Sequence, residues 1–76
     1  MKNNRKNEKR INNHIYLMDT IADLYRSKHR MGIDKYLNLC RKTKLLEYIC
    51  ENSFAFDGLP EEELLLEAEG YINERL

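Results

Sequence analysis

Apolar residues recur at helical spacing along most of this chain of 76 residues. The first run begins at Ile11, and a second row beside it makes an unusually broad apolar face. The stripe consists of Ile11, Ile15, Met18, Ala22 and Tyr25, widened by Leu17, Ile21 and Leu24. This pattern predicts a first helix from about Ile11 to His29. Gly32 is expected to take the left-handed conformation just beyond its end.

The central stretch, residues 33–54, is where the neighbouring segments are expected to pack. It mixes apolar anchors with strong charge, and it is too short to bury its own apolar face. Asp34 is placed to cap the helix that opens this stretch, because its carboxylate can accept hydrogen bonds from the free amides of the next turn. The residues expected to share a face of that helix are Ile33, Tyr36, Leu37 and Cys40.

A bend is predicted inside the central stretch. The apolar spacing falters at residues 41–44 and restarts at Leu45. Thr43 is a candidate cap for the helix that begins there. We therefore predict two short helices, at about 34–41 and 44–55, with one continuous helix as the alternative.

The clearest helix boundary in the sequence lies at Pro60. Gly58 is expected to end the preceding helix, and a proline followed by three glutamates is typical of a first helical turn. The stripe that the closing helix should bury consists of Leu65, Ala68, Ile72 and Leu76. Gly70 costs that helix about 1 kcal/mol relative to alanine, which predicts close packing at this position.

These elements predict an all-α fold, a compact bundle of three to four helices with a single core, over residues 11–76. One proline and three glycines interrupt the chain, which favours helix over sheet. We predict that Leu37, Ile49 and Ile72 are buried in the core. Residues 1–10 lack an apolar anchor, and we predict that they form a flexible basic arm.

The composition predicts the cellular compartment of the protein and the absence of a metal or cofactor. No apolar run is long enough to cross a bilayer, and the first residues lack the apolar core of a signal peptide. We therefore expect a cytoplasmic protein without membrane contact. Cys40 and Cys50 are interpreted as buried free thiols, since a disulfide would fit a secreted miniprotein. Neither His14 nor His29 completes a metal-ligand spacing with them, so no metal and no cofactor are expected.

The sequence also lacks the motifs that are typical of catalysis. It contains no glycine-rich phosphate loop and no nucleophile beside a recognisable base. The acids at residues 61–63 and Glu67 resemble a paired-carboxylate site only superficially, because acids are common at helix starts and on solvent faces. We therefore predict that the protein is not an enzyme.

Charge is distributed unevenly although the formal net charge is zero. Residues 45–76 carry nine acids and one base, a net charge of −8, so residues 1–44 carry +8. Two clusters are the predicted partner-binding residues: the bases Arg41, Lys42 and Lys44, and the acids Glu63 and Glu67. The two clusters could meet within one molecule or between copies, an outside partner could supply the opposite charge, or both could be solvated.

A homodimer is expected from this charge layout. Two-fold symmetry would place the basic cluster of each copy against the acidic helix of the other. Exposed tyrosines are enriched at interfaces, and Tyr16, Tyr36 and Tyr48 are not all expected to find room inside a small bundle.

Nucleic-acid binding is the alternative function. Two short helices joined at a bend resemble a helix-turn-helix, whose second helix reads base edges in the major groove. That helix would here present Glu47, Glu51 and Asn52, and its carboxylates would be repelled by phosphates. Weak contact of the basic cluster and the arm with phosphates stays an alternative.

Three segments carry a resemblance to a known family. They are MGIDKYLNLC at 31–40, LLEYICE at 45–51 and YINER at 71–75. In their order they resemble a family of small bacterial helical proteins that is classed as a domain of unknown function. The sequence departs from that family at Thr43-Lys44, where a glycine or another small turn residue is usual. The resemblance implies no known activity; some relatives are thought to be encoded beside toxin-like genes, which implies a regulatory or antitoxin-like role.

We therefore expect a small cytoplasmic protein–protein interaction module, with a nucleic-acid-binding regulator as the alternative.

Overall fold

The structure, a computed structural model, describes the backbone of residues 2–76 and the side chains of residues 14–76. The described chain forms five helices and no strand, which confirms the all-α prediction. The helices are α1 (Lys2–His29), α2 (Ile33–Thr43), α3 (Leu45–Glu51), α4 (Ser53–Phe56) and α5 (Glu61–Arg75). The predicted count of three to four helices is too low, because the segment predicted at 44–55 divides into α3 and the single turn α4. The predicted arm at 1–10 falls on residues whose side chains lie outside those described.

One core joins all five helices, and the contact between α1 and α5 is the most extensive. The residues that α1 and α5 bury recur every four positions, as one face of a helix requires. The buried apolar residues are Leu17, Ile21, Tyr25, Tyr36, Cys40, Leu45, Ile49, Phe56, Leu64, Ala68 and Ile72. Ile49 and Ile72 are fully buried, as predicted. None of the helices in the described residues is long and apolar enough to span a membrane.

The burial predicted for Leu37 is wrong. Its exposed fraction is 40%, and that of Ile33, predicted on the same face, is 45%. The stripe that α2 turns toward the core consists of Tyr36, Cys40 and Thr43. Ile33 and Leu37 lie beside this stripe, so the core covers each of them only in part.

Two further predictions about helix faces are wrong. Ile15 was placed on the buried stripe of α1 but is 61% exposed, because Leu17 and its successors at four-residue spacing face the core. In α5 the buried stripe begins at Leu64, and Leu76 is 75% exposed. Gly70 was expected to pack closely, yet a Cβ built there would meet nothing within 4 Å.

The helix ends also differ from prediction. Arg30, with φ of 50°, takes the left-handed conformation after α1, whereas Gly32 is extended and precedes α2. Asp34 lies in the first turn of α2 rather than at its cap, because that helix begins one residue earlier than predicted. Gly58, with φ of 91°, follows α4 as expected. Pro60 is the cap residue of α5.

The predicted bend between two helices is confirmed, and it lies at Lys44. This residue has φ of 59° and ψ of 37°, the left-handed conformation, and it both ends α2 and precedes α3. Thr43 does not cap α3. Its hydroxyl donates a hydrogen bond to the carbonyl oxygen of Leu39 at 2.8 Å, back into α2, and its side chain is buried.

Candidate partner-binding surface

The basic patch, which we define as Arg41, Lys42 and Lys44, lies at the bend. Arg41 and Lys42 occupy the last turn of α2, and Lys44 is the left-handed residue itself. All three side chains are exposed. The guanidinium of Arg41 donates to the side-chain oxygen of Asn38 at 3.0 Å. Cations in a last helical turn are favoured by the negative end of the helix dipole, so Arg41 and Lys42 are favourable at the end of α2.

The acidic patch, Glu63 and Glu67, lies one turn apart on α5 and is exposed. The buried side of this helix is formed by Leu64, Ala68 and Ile72. Because like charges at this spacing repel one another in an isolated helix, the pair is unfavourable without an opposite charge close by.

Tyr71 ties α5 to the bend that carries the basic patch. Its hydroxyl donates a hydrogen bond to the carbonyl oxygen of Thr43 at 2.6 Å and lies 3.3 Å from that of Lys44. Tyr71 follows Glu67 by four residues, and residues so spaced are neighbours on a helix surface. Of the acidic patch, Glu67 therefore lies one turn from the residue that contacts the bend, and Glu63 lies two turns from it.

The two patches form no ion pair with each other. Among the described side chains, Glu69 pairs with Lys28 at 3.1 Å and with His29 at 2.8 Å, and Glu74 lies 3.6 Å from Arg75. None of the five predicted partner-binding residues takes part in these pairs. Their charges face solvent, where a second molecule can reach them.

A stack of side chains holds Tyr71 in place. The ring of Tyr48 lies on one face, with centroids 3.9 Å apart and an angle of 17°, and the guanidinium of Arg75 lies 3.7 Å from the ring centroid. Phe56 contacts Tyr48 edge to face at 5.6 Å. Burial raises the pKa of Tyr48, and the charge of Glu67 adds to the rise.

Sequence reasoning missed the role of Tyr71. A tyrosine at a helix margin signals an amphipathic contact, but no local pattern states which carbonyl its hydroxyl will reach. Of the three tyrosines that were not all expected to fit inside the bundle, Tyr16 is 60% exposed, Tyr48 is partly buried in the stack and Tyr36 is buried.

A second feature of the surface is the apolar pair, Ile33 and Leu37, one turn apart on α2. Each is nearly half exposed, on a helix whose core-facing stripe is already buried. Beside it, at the turn from α1 to α2, an open groove of about 610 Å³ is lined by Asp23, Arg26, Ser27, Arg30 and Met31. The sequence did not predict the apolar pair as a surface feature, because both residues were assigned to the core.

Glu69 ties α5 to the end of α1. It accepts from the ammonium of Lys28 and from the ring of His29, and that ring stacks on Tyr25 with centroids 4.1 Å apart. Burial alone would raise the pKa of Glu69. The hydrogen bonds and charges of His29 and Lys28 outweigh burial, so its pKa lies below the ordinary value of 4.5.

This lowered pKa predicts a loss of stability in acid. A carboxylate whose pKa is lowered by folding stabilises the protein above its unfolded-state pKa, and this contribution disappears as the pH falls through the folded-state value. At pH 7 we expect Glu69→Gln to cost roughly 0.2–1 kcal/mol, the range for exposed pairs. The difference from wild type should begin to shrink as the pH drops below about 4.5 and vanish once it is below the lowered pKa of Glu69 in the folded protein. Urea denaturation across that pH range measures it, with exposed Glu62→Gln as the control; a pH-independent difference would contradict the assignment.

The cysteines are free thiols, as predicted, although Cys50 is only partly buried. Burial raises the pKa of the Cys40 thiol, more than the neighbouring Tyr36 hydroxyl lowers it. A thiol in this state is a poor nucleophile. Within the described residues, no group of three or more His, Cys, Asp or Glu side chains is placed to hold a metal ion.

Comparison of the chain with protein-family models, curated proteins and solved structures finds no match. Functional inference therefore depends on the surface itself. That surface presents two exposed patches of opposite charge and an apolar pair on α2.

Proposed function

We propose that this chain is a small cytoplasmic protein–protein interaction module. The observation that carries the proposal is the apolar pair on α2. Ile33 and Leu37 remain 45% and 40% exposed although α2 already buries another face. Adjacent apolar side chains left open on a small helical protein are typical of a surface that receives an amphipathic helix.

The surroundings of the apolar pair indicate the charge of that helix. The groove at the turn from α1 to α2 contains Arg26 and Arg30 with the single acid Asp23. Complementary charge steers association and suppresses wrong partners. The partner proposed here is therefore a protein that presents an amphipathic helix with acidic residues beside its apolar stripe.

A regulatory role is part of the proposal. The resemblance of segments 31–40, 45–51 and 71–75 to a family with some members thought to lie beside toxin-like genes favours an antitoxin-like activity. In that role the module would bind and restrain a partner protein without chemistry of its own. Free thiols at Cys40 and Cys50 fit a reducing compartment such as the cytoplasm.

The proposal predicts that Leu37→Asp abolishes partner capture without unfolding the chain. A carboxylate in an apolar contact is desolvated without a partner, so affinity should fall at least about tenfold, as for a central interface residue. The tagged chain should capture one protein reproducibly from its native cells, and titration of that purified protein measures the loss.

The matched control is Phe54→Asp, which introduces the same charge at an apolar residue that is 95% exposed on α4. This variant should capture the partner as wild type does. Equal capture by Leu37→Asp and wild type, with both folded by circular dichroism, would refute the proposed surface.

Nucleic-acid binding is the second candidate, favoured by the exposed basic patch at the bend. On α3, however, Glu47 and Glu51 are exposed, and carboxylates there oppose entry into the major groove. Retardation of DNA at low salt, collapsing as salt rises and lost on Lys42→Glu, would favour this candidate.

A further inference from the structure

We propose that α2 is a hinged flap, which undocks from the other helices as a unit while the rest of the fold stays intact. Three features of the structure weaken its attachment, and two hydrogen bonds oppose them. The inference goes beyond the proposed function, because it concerns a motion of the free chain and is measured without a partner.

Strained backbone borders α2 on both sides. Arg30 and Lys44, with φ of 50° and 59°, are the two non-glycine residues with positive φ in the described part of the chain. Arg30 follows α1, and Lys44 lies between α2 and α3. A residue with a Cβ is disfavoured in the left-handed conformation, which glycine adopts freely. Both connections can relax when α2 leaves its place, so they are the two hinges of the flap.

The largest side chain that docks α2 carries a polar atom without an ordinary partner. Tyr36 is 1% exposed, and its hydroxyl oxygen makes no hydrogen bond of ordinary geometry with any described group. Such a group has lost its hydrogen bonds to water without replacing them. Undocking of α2 returns the hydroxyl to water, so this contact holds the helix less strongly than an apolar ring of the same size would.

The docking site covers only part of the apolar face of α2. Ile33, Tyr36, Leu37 and Cys40 follow the spacing of one amphipathic face. Tyr36 and Cys40 are buried, while the apolar pair stays nearly half exposed. The helix packs mainly against α1 and α3. Opening would uncover the rest of this face beside the apolar pair and so enlarge the surface that a partner can contact.

One side-chain hydrogen bond at each hinge holds the flap closed. Nε of Arg26, in α1, donates to the carbonyl oxygen of Met31 at 3.2 Å, just before α2 begins. The hydroxyl of Tyr71, in α5, donates to the carbonyl oxygen of Thr43 at 2.6 Å, at the last residue of α2. A helix of 11 residues is marginal by itself in water, so α2 should fray once it undocks.

Native-state hydrogen exchange, measured residue by residue at low urea concentrations, tests the flap. The amides of α2 should exchange through an opening of lower free energy than those of α1 and α5. The opening should also depend less on urea, because less surface becomes exposed. Tyr36→Phe removes the unsatisfied hydroxyl and should slow exchange in α2 at least about fivefold. Lys44→Gly, which relieves one hinge, should slow it about fivefold, and Tyr71→Phe should speed it about fivefold.

Gly70→Ala is the variant that separates the flap from global unfolding. A Cβ at this position of α5 meets nothing within 4 Å. Alanine favours a helix over glycine, so global unfolding should become about fivefold rarer. Exchange in α1 and α5 should slow by that factor, whereas exchange in α2 should not change.

Equal slowing of α1, α2 and α5 by Gly70→Ala would overturn the flap, as would one opening free energy and one urea dependence shared by all three helices. An α2 that opens separately but does not respond to Tyr36→Phe would overturn the part given to the hydroxyl. None of these results depends on partner capture, so the proposed function stands or falls separately with Leu37→Asp.

Discussion

Replacing Ile72 with alanine should lower the free energy of unfolding by about 2–5 kcal/mol, the usual cost of such a truncation in a core. Ile72 is fully buried in α5, within the core that α5 forms with α1. A chain of this size buries a smaller share of its surface than a larger domain does, and its core is expected to supply only about 3–5 kcal/mol. The variant should therefore be largely unfolded at 37 °C. Ile49→Ala, at an equally buried position in α3, should behave alike.

Leu37→Ala is the matched comparison, because it removes a similar side chain at a position that is 40% exposed. Its cost should be smaller, about 1–2 kcal/mol, since part of the side chain already contacts water in the folded protein. Urea denaturation followed by circular dichroism measures all three variants. Equal losses at Leu37 and Ile72 would show that α2 packs differently from the structure described here.

Tyr36→Phe should stabilise the protein by roughly 1–2 kcal/mol, the cost of leaving a buried hydroxyl unsatisfied. Tyr36 is almost fully buried, and its hydroxyl oxygen makes no hydrogen bond of ordinary geometry with any described group. Burial raises the pKa of this hydroxyl strongly, and the neighbouring Cys40 thiol, a weak partner, adds to the rise. Phenylalanine keeps the ring in the core and removes the hydroxyl, which loses its hydrogen bonds with water when the chain folds.

The control for Tyr36→Phe is Tyr71→Phe, which removes a hydroxyl that does have a partner. Tyr71 donates to the carbonyl oxygen of Thr43 at 2.6 Å, so its loss should destabilise the protein by about 1 kcal/mol. Thermal melts should show a higher melting temperature than wild type for Tyr36→Phe and a lower one for Tyr71→Phe. Destabilisation of similar size in both would mean that the Tyr36 hydroxyl is satisfied in solution.

Part of the candidate surface could be predicted from local sequence. Three bases within four residues cannot all be buried, and acids one turn apart on a helix stay near solvent, which agrees with the exposure of both patches. The bend was visible in the interrupted apolar spacing at residues 41–44. The left-handed conformation of Lys44 could not be predicted from the sequence, because it depends on tertiary contacts such as the one with Tyr71.

The apolar pair shows the limit of periodicity. Helical spacing places Ile33, Leu37 and Tyr36 within reach of one face, but it does not set the rotation of that face against its neighbours. The large ring of Tyr36, packed against Tyr25 with centroids 5.9 Å apart, takes the central position. The smaller side chains are thereby turned toward the margin.

The amino-acid sequence by itself determined the helical class, the break near residue 44, the start of α5 and the separation of charge, because each of these depends on neighbours within a turn or two. Tertiary structure alone decided which stripe of α2 is buried, that Arg30 rather than Gly32 turns left-handed, and that Tyr71 of α5 reaches the bend. Those features depend on contacts between residues far apart in the chain, such as Tyr71 with Thr43 and Glu69 with His29. Spacing within one helix carries no information about them, since the energy of such contacts arises only when the helices pack.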